Sequence, residues 1–179
     1  KPVLDDLRPE LDFAAKRRPE VTLHLPEDKP THAGTFAEGA AAQDICLAAP
    51  ATGRYFCLES LDAFDGKPYA CVAELDLLDA ANQPLGRADW TVAYVDSEER
   101  IGEDGTAENA IDGQTANFWH TEWKRSSPAH PHRLILDLGT SQTVAGFRYV
   151  PRQGDGGGRI KRYRVYVGDG LVQKKDAKN

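Results

Sequence analysis

Short runs in which apolar and polar residues alternate recur along most of the chain, and this period of two predicts β-strands. The predicted strands cover residues 21–25, 45–47, 54–61, 70–78, 90–95, 134–138, 144–150 and 160–167. Turn-forming sequences such as Asp65-Gly66-Lys67-Pro68 separate them. Because no strand–helix–strand rhythm is present, the pattern predicts an all-β sandwich or jelly roll.

The two ends of the chain differ from this pattern. Residues 1–20 carry a weak helical pattern interrupted by Pro2, Pro9 and Pro19, so we expect a linker with short helical turns. Residues 171–179 are assigned to a polar tail, which we expect to be frayed from Gln173 onwards. The prediction is therefore a single sandwich over residues 21–170. A start at Lys1 and the absence of Met suggest a piece of a longer protein, with any export signal upstream.

Composition limits the classes of function. The 179 residues, 40% hydrophobic and 28% charged, suit one soluble domain with a substantial core. A formal net charge of −6 disfavours binding to nucleic acid or to an anionic membrane. No apolar run approaches the roughly 20 residues that a spanning helix needs. We therefore expect neither a nucleic-acid partner nor a membrane span.

Cys46, Cys57 and Cys71 all lie in the first half of the chain. Their odd number and the lack of Cys-x-x-Cys spacing argue against a zinc site or a disulfide scaffold. We interpret them as small buried core residues. A disulfide between Cys57 and Cys71, across neighbouring strands in an oxidising compartment, remains an open alternative.

Three motifs in the second half carry a family resemblance. A turn at residues 107–113, Ala-Glu-Asn-Ala-Ile-Asp-Gly, runs on to Phe-Trp-His-Thr-Glu-Trp at 118–123. The alternating run at 131–139 follows, and then a strand end, Pro-Arg-Gln, at 151–153. Together they resemble the coagulation factor 5/8 type C (discoidin) family, in particular the galactose-binding-like family 32 carbohydrate-binding modules. The resemblance implies a β-sandwich jelly roll that binds a sugar without cutting it.

The order of the motifs departs from the family. The opening turn, which normally begins such a domain, arrives only at residue 109, whereas the family's closing strands resemble residues 34–80. One hypothesis is a circularly permuted sandwich, with strands 34–80 placed before the opening part at 90–167. The other is the end of one module followed by a truncated second module. Truncation would leave open sheet edges, whereas nearby termini make permutation structurally cheap, so we favour permutation.

The resemblance also implies a structural calcium ion at the turn. Calcium takes six to eight hard oxygens, which a tight glycine-containing turn presents from side chains and main chain together. The positions that match the family are Asp112, Asn117, the distant carboxylate Glu74, and the carbonyls near Ala110 and Thr115. Asn117 and Gln114 stand where the family often has threonine and an acid, which lowers the local charge. The alternative is an Asp-Gly turn held by its own hydrogen bonds.

Four further residues match the family's sugar site in order and spacing: Glu103, His120, Trp123 and Arg152. A sugar offers apolar C–H faces and a ring of hydroxyls, so its site needs an exposed aromatic ring and fixed polar groups. By resemblance, Trp123 stacks on the sugar, His120 and Arg152 bond its hydroxyls, and Glu103 accepts another hydroxyl hydrogen. Trp119 matches a tryptophan buried beneath the binding face.

No catalytic constellation is present in the sequence. The nucleophile elbow, the His-Glu-x-x-His helix and the Walker loop are all missing. Asp96, Glu98 and Glu99 are clustered acids, which we interpret as a solvated loop because adjacent positions do not face each other across a cleft. His130 and His132 flank a proline before a strand, and we interpret them as packing residues.

These observations predict a non-catalytic module that binds galactose or N-acetylgalactosamine. Its expected context is an exported glycoside hydrolase, with the catalytic domain upstream and the protein secreted, periplasmic or at the cell surface. Two alternatives stay open. One is a discoidin-type adhesion module that binds protein or lipid, and the other is a structural spacer without a ligand.

Overall fold

The structure, a computed structural model, describes Arg18 and residues 20–175. Within these residues the fold is all-β and antiparallel, which confirms the predicted class, and one 3₁₀ helix at Ala107–Ala110 interrupts it. The strands in chain order are β1 (Val21–Leu23), β2 (His32–Thr35), β3 (Gln43–Ser60), β4 (Cys71–Val72), β5 (Glu74–Leu78), β6 (Thr91–Val95), β7 (Trp119–His120), β8 (His132–Val150), β9 (Arg162–Gly168) and β10 (Val172–Lys174).

The long strands β3 and β8 form the ladder around which the sheets assemble. Two register shifts divide it, one between Cys46 and Ala51 and one between Gly53 and Tyr55. Beyond the second shift, β3 also pairs with β9 and β8 with β6, while β2 closes the edge beside β9. Before the first shift, β8 pairs with β5 instead. Each long strand thus passes from one face of the sandwich to the other, because a bulge bends a strand and increases its twist.

The central strands bury side chains on both of their faces. In β3, Phe56 and Leu58 join the main core, whereas Tyr55 and Cys57 join a second apolar cluster. In β8, Ile135 points to the second cluster. Since successive side chains of a strand point to opposite faces, this alternation places one apolar layer on each side of the sheet. Both layers exclude water, which explains why strands 54–61 and 134–138 are almost continuously apolar.

The second apolar cluster is covered by the strand pair β1–β10. Leu171 and Val172 belong to the cluster, and Val21 and Leu23 pack against it. The register Leu23↔Val172 joins the two strands. The prediction of a polar tail that frays from Gln173 is therefore wrong for residues 171–174. Leu171 and Val172 are buried, and Gln173 and Lys174 pair with β1. The helical turns predicted for residues 1–20 lie outside the described part of the chain, apart from Arg18 and Glu20.

Several short predicted strands merge in the structure. Residues 45–47 and 54–61 form the single strand β3, and 134–138 and 144–150 form β8. The cysteines are free, so Cys57 and Cys71 form no disulfide. Both are fully buried, as predicted, and burial raises the pKa of each thiol. Cys46 is exposed, which makes the core interpretation wrong at that position.

Residues from both halves of the chain share the main core. Phe36 from the first half stacks on Tyr149 at 4.1 Å and on Tyr163 at 4.0 Å between ring centroids. Leu75 and Leu77 pack in the same cluster as Leu134, Leu136 and other second-half residues. The segment resembling the family's closing strands and the segment resembling its opening part thus fold around one interior. That they form one permuted domain remains our prediction.

Phe36→Ala is expected to destabilise the whole fold, because it empties a ring-sized space between Tyr149 and Tyr163. A loss of about 3–5 kcal/mol in the free energy of unfolding is expected for a buried aromatic truncated to alanine. Chemical denaturation of the wild type and the variant measures it. Thr35→Ala, at the exposed neighbouring position, is the control and should change stability little. An unchanged unfolding midpoint for Phe36→Ala would show that the first half does not share the core.

Candidate functional site

An open pocket of about 710 Å³ lies at one edge of the sandwich, lined by loops from both halves of the chain. Glu103, His120, Trp123 and Arg152, the four residues predicted from the family resemblance, all line it. The remaining lining residues are Glu38, Phe64, Asp65, Lys67, Tyr69, Asp155, Gly156, Gly157 and Arg159. Four positions scattered over 50 residues of sequence therefore meet in one cavity.

Trp123 presents an aromatic surface to the pocket. Its side chain is 38% exposed, the only large hydrophobic residue exposed among those the structure describes. The indole ring packs on Gly102 so closely that a Cβ there would lie 2.4 Å from Cζ2 of Trp123. The indole Nε1 donates to Oε1 of Glu103 at 2.9 Å. One side of the ring is thus held by the loop at 102–103, while the exposed part faces the cavity.

His120 is nearly buried, and its hydrogen bonds determine what it offers to a ligand. Its Nδ1 donates to the carbonyl of Thr121, which has no hydrogen to give. In the neutral imidazole Nε2 is therefore an acceptor. The ring lies 5.5 Å from that of Tyr69 and 6.2 Å from that of Phe118, between centroids. His120 can thus accept a hydrogen from a ligand hydroxyl.

Arg152 supplies the fixed donor of the pocket. Its guanidinium lies over the ring of Phe118, 4.3 Å from the centroid, and Nη2 contacts Oδ2 of Asp155 at 3.1 Å. The loop that follows is held by Arg159, whose Nε donates to the Arg152 carbonyl at 3.0 Å. A planar guanidinium fixed on both an aromatic face and a carboxylate still has donors to spare, because it carries five N–H groups.

Glu99 joins the two loops that carry Glu103 and Trp123. It is 0% exposed, so the solvated-loop interpretation is wrong for this residue. Its carboxylate accepts four backbone N–H bonds of 2.7–2.9 Å, from Ile101, Gly102, Trp123 and Lys124. Burial opposes its ionisation, but these donors outweigh burial and hold the pKa of Glu99 below its ordinary value.

The other two acids of that cluster also have partners. Oδ2 of Asp96 lies 2.8 Å from Nδ1 of the fully buried His132, whose Nε2 donates to the Pro68 carbonyl at 3.0 Å. Glu98 pairs with Arg18 and Arg100. The cluster is therefore part of the protein framework. His132 packs as the sequence predicted, and through Pro68 it supports the loop that carries Lys67 and Tyr69.

The turn around Asp112 lies beside Glu74, as the family resemblance implied. Oε1 of Glu74 accepts from the backbone N–H of Gly113 at 2.6 Å and of Gln114 at 3.0 Å. Asn117 Nδ2 donates to Oδ2 of Asp112 at 2.7 Å. Gly113 has φ +85°, a conformation that glycine adopts without strain. Asp112, Asn117 and Glu74, three of the five proposed calcium-site residues, are therefore brought together, while Ala110 and Thr115 flank Asp112 in the chain.

One oxygen in this turn has no partner. Oδ1 of Asn117 is buried and accepts no hydrogen bond, a costly state for an amide oxygen, while Nδ2 of the same amide faces Asp112. Burial, together with Asp112, raises the pKa of Glu74 although Arg87 Nη1 donates to it at 2.7 Å. No cluster of three or more His, Cys, Asp or Glu suited to a metal occurs among the described residues. The donor set of two carboxylates, an amide and carbonyls fits a hard cation such as calcium.

Several lining residues had no sequence signal. Asp65, Lys67 and Tyr69 lie in or beside a segment recognised only as a turn, and Asp155 lies in a glycine-rich loop without a known function. In the sequence, Glu99 stood out only as one of three clustered acids. The sequence feature closest to Glu99 that bears on its role is Gly102, three residues later. Glycine permits the tight turn that the Glu99 carboxylate holds.

The second half of the chain matches a known domain. A sequence model of the F5/8 type C domain matches residues 93–174. This segment is therefore similar in sequence to the F5/8 type C domain. The match extends to Lys174, the last residue of β10, and so includes residues 171–174.

Three curated proteins share sequence similarity with parts of this chain. A sialidase of Micromonospora viridifaciens is 46% identical over 84 residues, which are 46% of this chain and 13% of that protein. A galactose oxidase of Gibberella zeae is 35% identical over 108 residues, 57% of this chain and 15% of that one. An A type blood N-acetyl-alpha-D-galactosamine deacetylase of Flavonifractor plautii is 31% identical over 64 residues, 36% and 8% respectively. The chain thus spans less than a sixth of the length of each of these relatives.

The segment that matches the F5/8 type C model is joined to the strands that precede it. β4 pairs with β7 in the register Cys71↔His120, and Oγ1 of Thr121 accepts from the Ala70 N–H at 3.0 Å. None of the helices in the described chain is long and apolar enough to cross a lipid bilayer.

Gly102→Ala is expected to displace the indole of Trp123, since the new methyl group would overlap the ring. Quenching of tryptophan fluorescence by acrylamide should change, because Trp90 and Trp119 are buried and Trp123 is exposed. The thermal midpoint should fall little, as the packing affected is at the surface. Gly156→Ala, which meets only the flexible Arg159 side chain, is the control. Identical quenching in Gly102→Ala and wild type would contradict the packing of Trp123 on Gly102.

Proposed function

We propose that this chain is a non-catalytic carbohydrate-binding module for galactose-type sugars, galactose or N-acetylgalactosamine. The observation that carries the proposal is the meeting of Glu103, His120, Trp123 and Arg152 in one open pocket. An exposed aromatic face beside fixed polar groups is the combination that a pyranose ring requires.

Each group has a distinct task in this proposal. Trp123 stacks on the C–H face of the sugar, while the Nε2 acceptor of His120 and the N–H donors of Arg152 bond neighbouring hydroxyls. Glu103 already accepts from the indole, and its carboxylate retains lone pairs for a ligand hydroxyl. An acceptor and a donor fixed side by side select the orientation of adjacent hydroxyls. We propose that they favour the axial O4 of galactose.

Two of the relatives support a galactose-type ligand by name. One is a galactose oxidase and another an N-acetyl-alpha-D-galactosamine deacetylase. The matched segments cover small parts of these enzymes, as expected for an accessory domain. We propose the same arrangement for this chain: a module in an exported glycoside hydrolase that keeps the enzyme close to its substrate through weak individual sites.

A discoidin-type module that binds lipid or protein is the second candidate. Such a site would need several exposed apolar side chains at the loop tips. Trp123 is the only large one exposed in the described part of the chain, and the pocket around it carries seven charged residues, Glu38, Asp65, Lys67, Glu103, Arg152, Asp155 and Arg159. The sugar proposal accounts for this polarity better.

We further propose that Asp112, Asn117 and Glu74, with the carbonyls of Ala110 and Thr115, hold a structural calcium ion. The partnerless Oδ1 of Asn117 supports this proposal. When bound, the ion would neutralise the two carboxylates and fix the turn that leads to Trp119 and His120. Arg87 forms an ion pair with the carboxylate of Glu74. Its guanidinium therefore already neutralises part of the negative charge that the calcium ion would meet.

Trp123→Ala is expected to weaken galactose binding by about 2 kcal/mol or more, roughly thirty-fold, because it removes the stacking surface. Isothermal titration of galactose into the purified chain measures the change. Tyr94→Ala, an aromatic truncation outside the pocket, serves as the matched control and should retain the affinity. Wild-type protein that binds neither galactose nor N-acetylgalactosamine at millimolar concentration would favour the spacer hypothesis.

Calcium is expected to raise the thermal midpoint of the wild type, and EDTA to lower it. Asp112→Ala should show the lower midpoint with or without the chelator, because the ion no longer binds. Asp79→Ala, an acid in another turn that the site does not use, should keep the full response to calcium. A wild-type midpoint that is the same in calcium and in EDTA would overturn the calcium proposal.

A further inference from the structure

We infer that Glu99 is the positioning residue of the pocket, fixing the aromatic surface of Trp123 through the backbone of two separate loops. The inference deepens the proposed function and rests on it for the identity of the ligand. The role is indirect: Glu99 does not line the cavity, and it acts through the groups that do.

The carboxylate of Glu99 divides its bonds between the two loops. Oε1 accepts from Ile101 at 2.8 Å and from Gly102 at 2.7 Å. Oε2 accepts from Trp123 at 2.9 Å and from Lys124 at 2.8 Å. One oxygen therefore holds the loop under the indole, and the other holds the backbone from which the indole projects.

Both supports of the indole depend on this arrangement. Gly102, on which the ring packs, has its N–H bound to Glu99, and Glu103, which accepts from the indole Nε1, is the next residue. The main chain of Glu99 adds to this hold, since its N–H donates to the His120 carbonyl at 2.7 Å and its carbonyl accepts from Gly105 at 2.9 Å. A shift of one loop relative to the other would separate Trp123 from Gly102, from Glu103 or from both.

An ionised carboxylate is the group that this position requires. Two oxygens that only accept can satisfy two pairs of N–H donors, and bonds to a charged acceptor are the stronger kind. A glutamine amide has one accepting oxygen, and its NH₂ would face a pair of N–H donors that it cannot bond. Glu99→Gln therefore removes the hold on one loop while changing the volume of the side chain very little.

The neighbouring acids cannot substitute for Glu99. Glu98 is engaged by Arg18, by Arg100 and by the N–H of Ala107 at 3.0 Å. Asp96 is bound to His132 and to the N–H of Arg133. Ser97 makes one further tie to the same loop, its Oγ accepting from the Glu122 N–H at 2.8 Å.

Comparison of Glu99→Gln with Glu59→Gln tests the inference. Glu59 is another buried carboxylate, bound by Arg133 and Arg164 outside the pocket, so its substitution carries a similar general cost. Glu99→Gln should increase the quenching of Trp123 fluorescence by acrylamide and weaken galactose binding at least about tenfold. Glu59→Gln should lower the thermal midpoint and leave both quantities within twofold of the wild type.

Ser97→Ala provides a milder variant for the case in which Glu99→Gln does not fold. It removes one hydrogen bond to the Trp123 loop, and a loss of a few-fold in galactose affinity is expected with the fold intact.

Quenching and galactose affinity equal to those of the wild type in the folded Glu99→Gln protein would overturn the inference, as would equal effects of Glu59→Gln. If Glu99→Gln does not fold, unchanged affinity and quenching in Ser97→Ala overturns it. If the wild type itself binds no galactose, the proposed function fails, and the quenching comparison alone decides the role of Glu99.

Discussion

The antiparallel pairing of β3 with β8 is the constraint on which the rest of the structure depends. It joins residues 43–60 to residues 132–150, so that each half of the chain supplies one of the two central strands. At one end the register Ser60↔His132 places the loop after β3 next to the loop before β8. Those loops carry Phe64 to Tyr69 on one side and His120 to Trp123 on the other. The pocket is therefore a consequence of register, because a slip of one residue would reverse every side chain along the ladder.

Buried carboxylates connect this framework to the site, and each is neutralised in a different way. Glu59 lies on the sheet and is paired with Arg133 and Arg164. Glu74 combines backbone N–H donors with Arg87, whereas Glu99, the one next to the pocket, is held by backbone N–H groups. A backbone donor fixes the main chain directly, and it leaves Arg152, one of the two arginines that line the pocket, available to a ligand. The difference follows from position, since a charge removed from water must be matched by whatever groups the local fold provides.

The sequence predicted local features well, because they depend on side-chain periodicity. Alternation located the main strands, and the burial of Trp119 followed from the family resemblance. The four pocket residues were named from the family resemblance, by their order and approximate spacing. The second apolar cluster was not predictable in this way, since Leu171 and Val172 are buried only because β1 pairs with β10 at a separation of about 150 residues. The burial of Glu99 is equally non-local, because two of its four donors lie in a loop more than 20 residues away.

The order of the segments in the chain acquires a physical explanation from these contacts. β5 completes the sheet beside the second part of β8, and its first residue, Glu74, holds the turn at Gly113 across 39 residues of sequence. An isolated second half would lose β3 and β5 from both sides of β8, exposing Phe147 and Leu136 and leaving two open edges. An isolated first half would leave Phe36, Leu58 and Leu77 without the rings and aliphatic groups that now cover them. Neither half buries its apolar residues alone, whereas the two together close one core. This mutual dependence favours a single permuted sandwich over the remains of two modules, and it explains why the pocket and the proposed calcium turn both draw residues from each half.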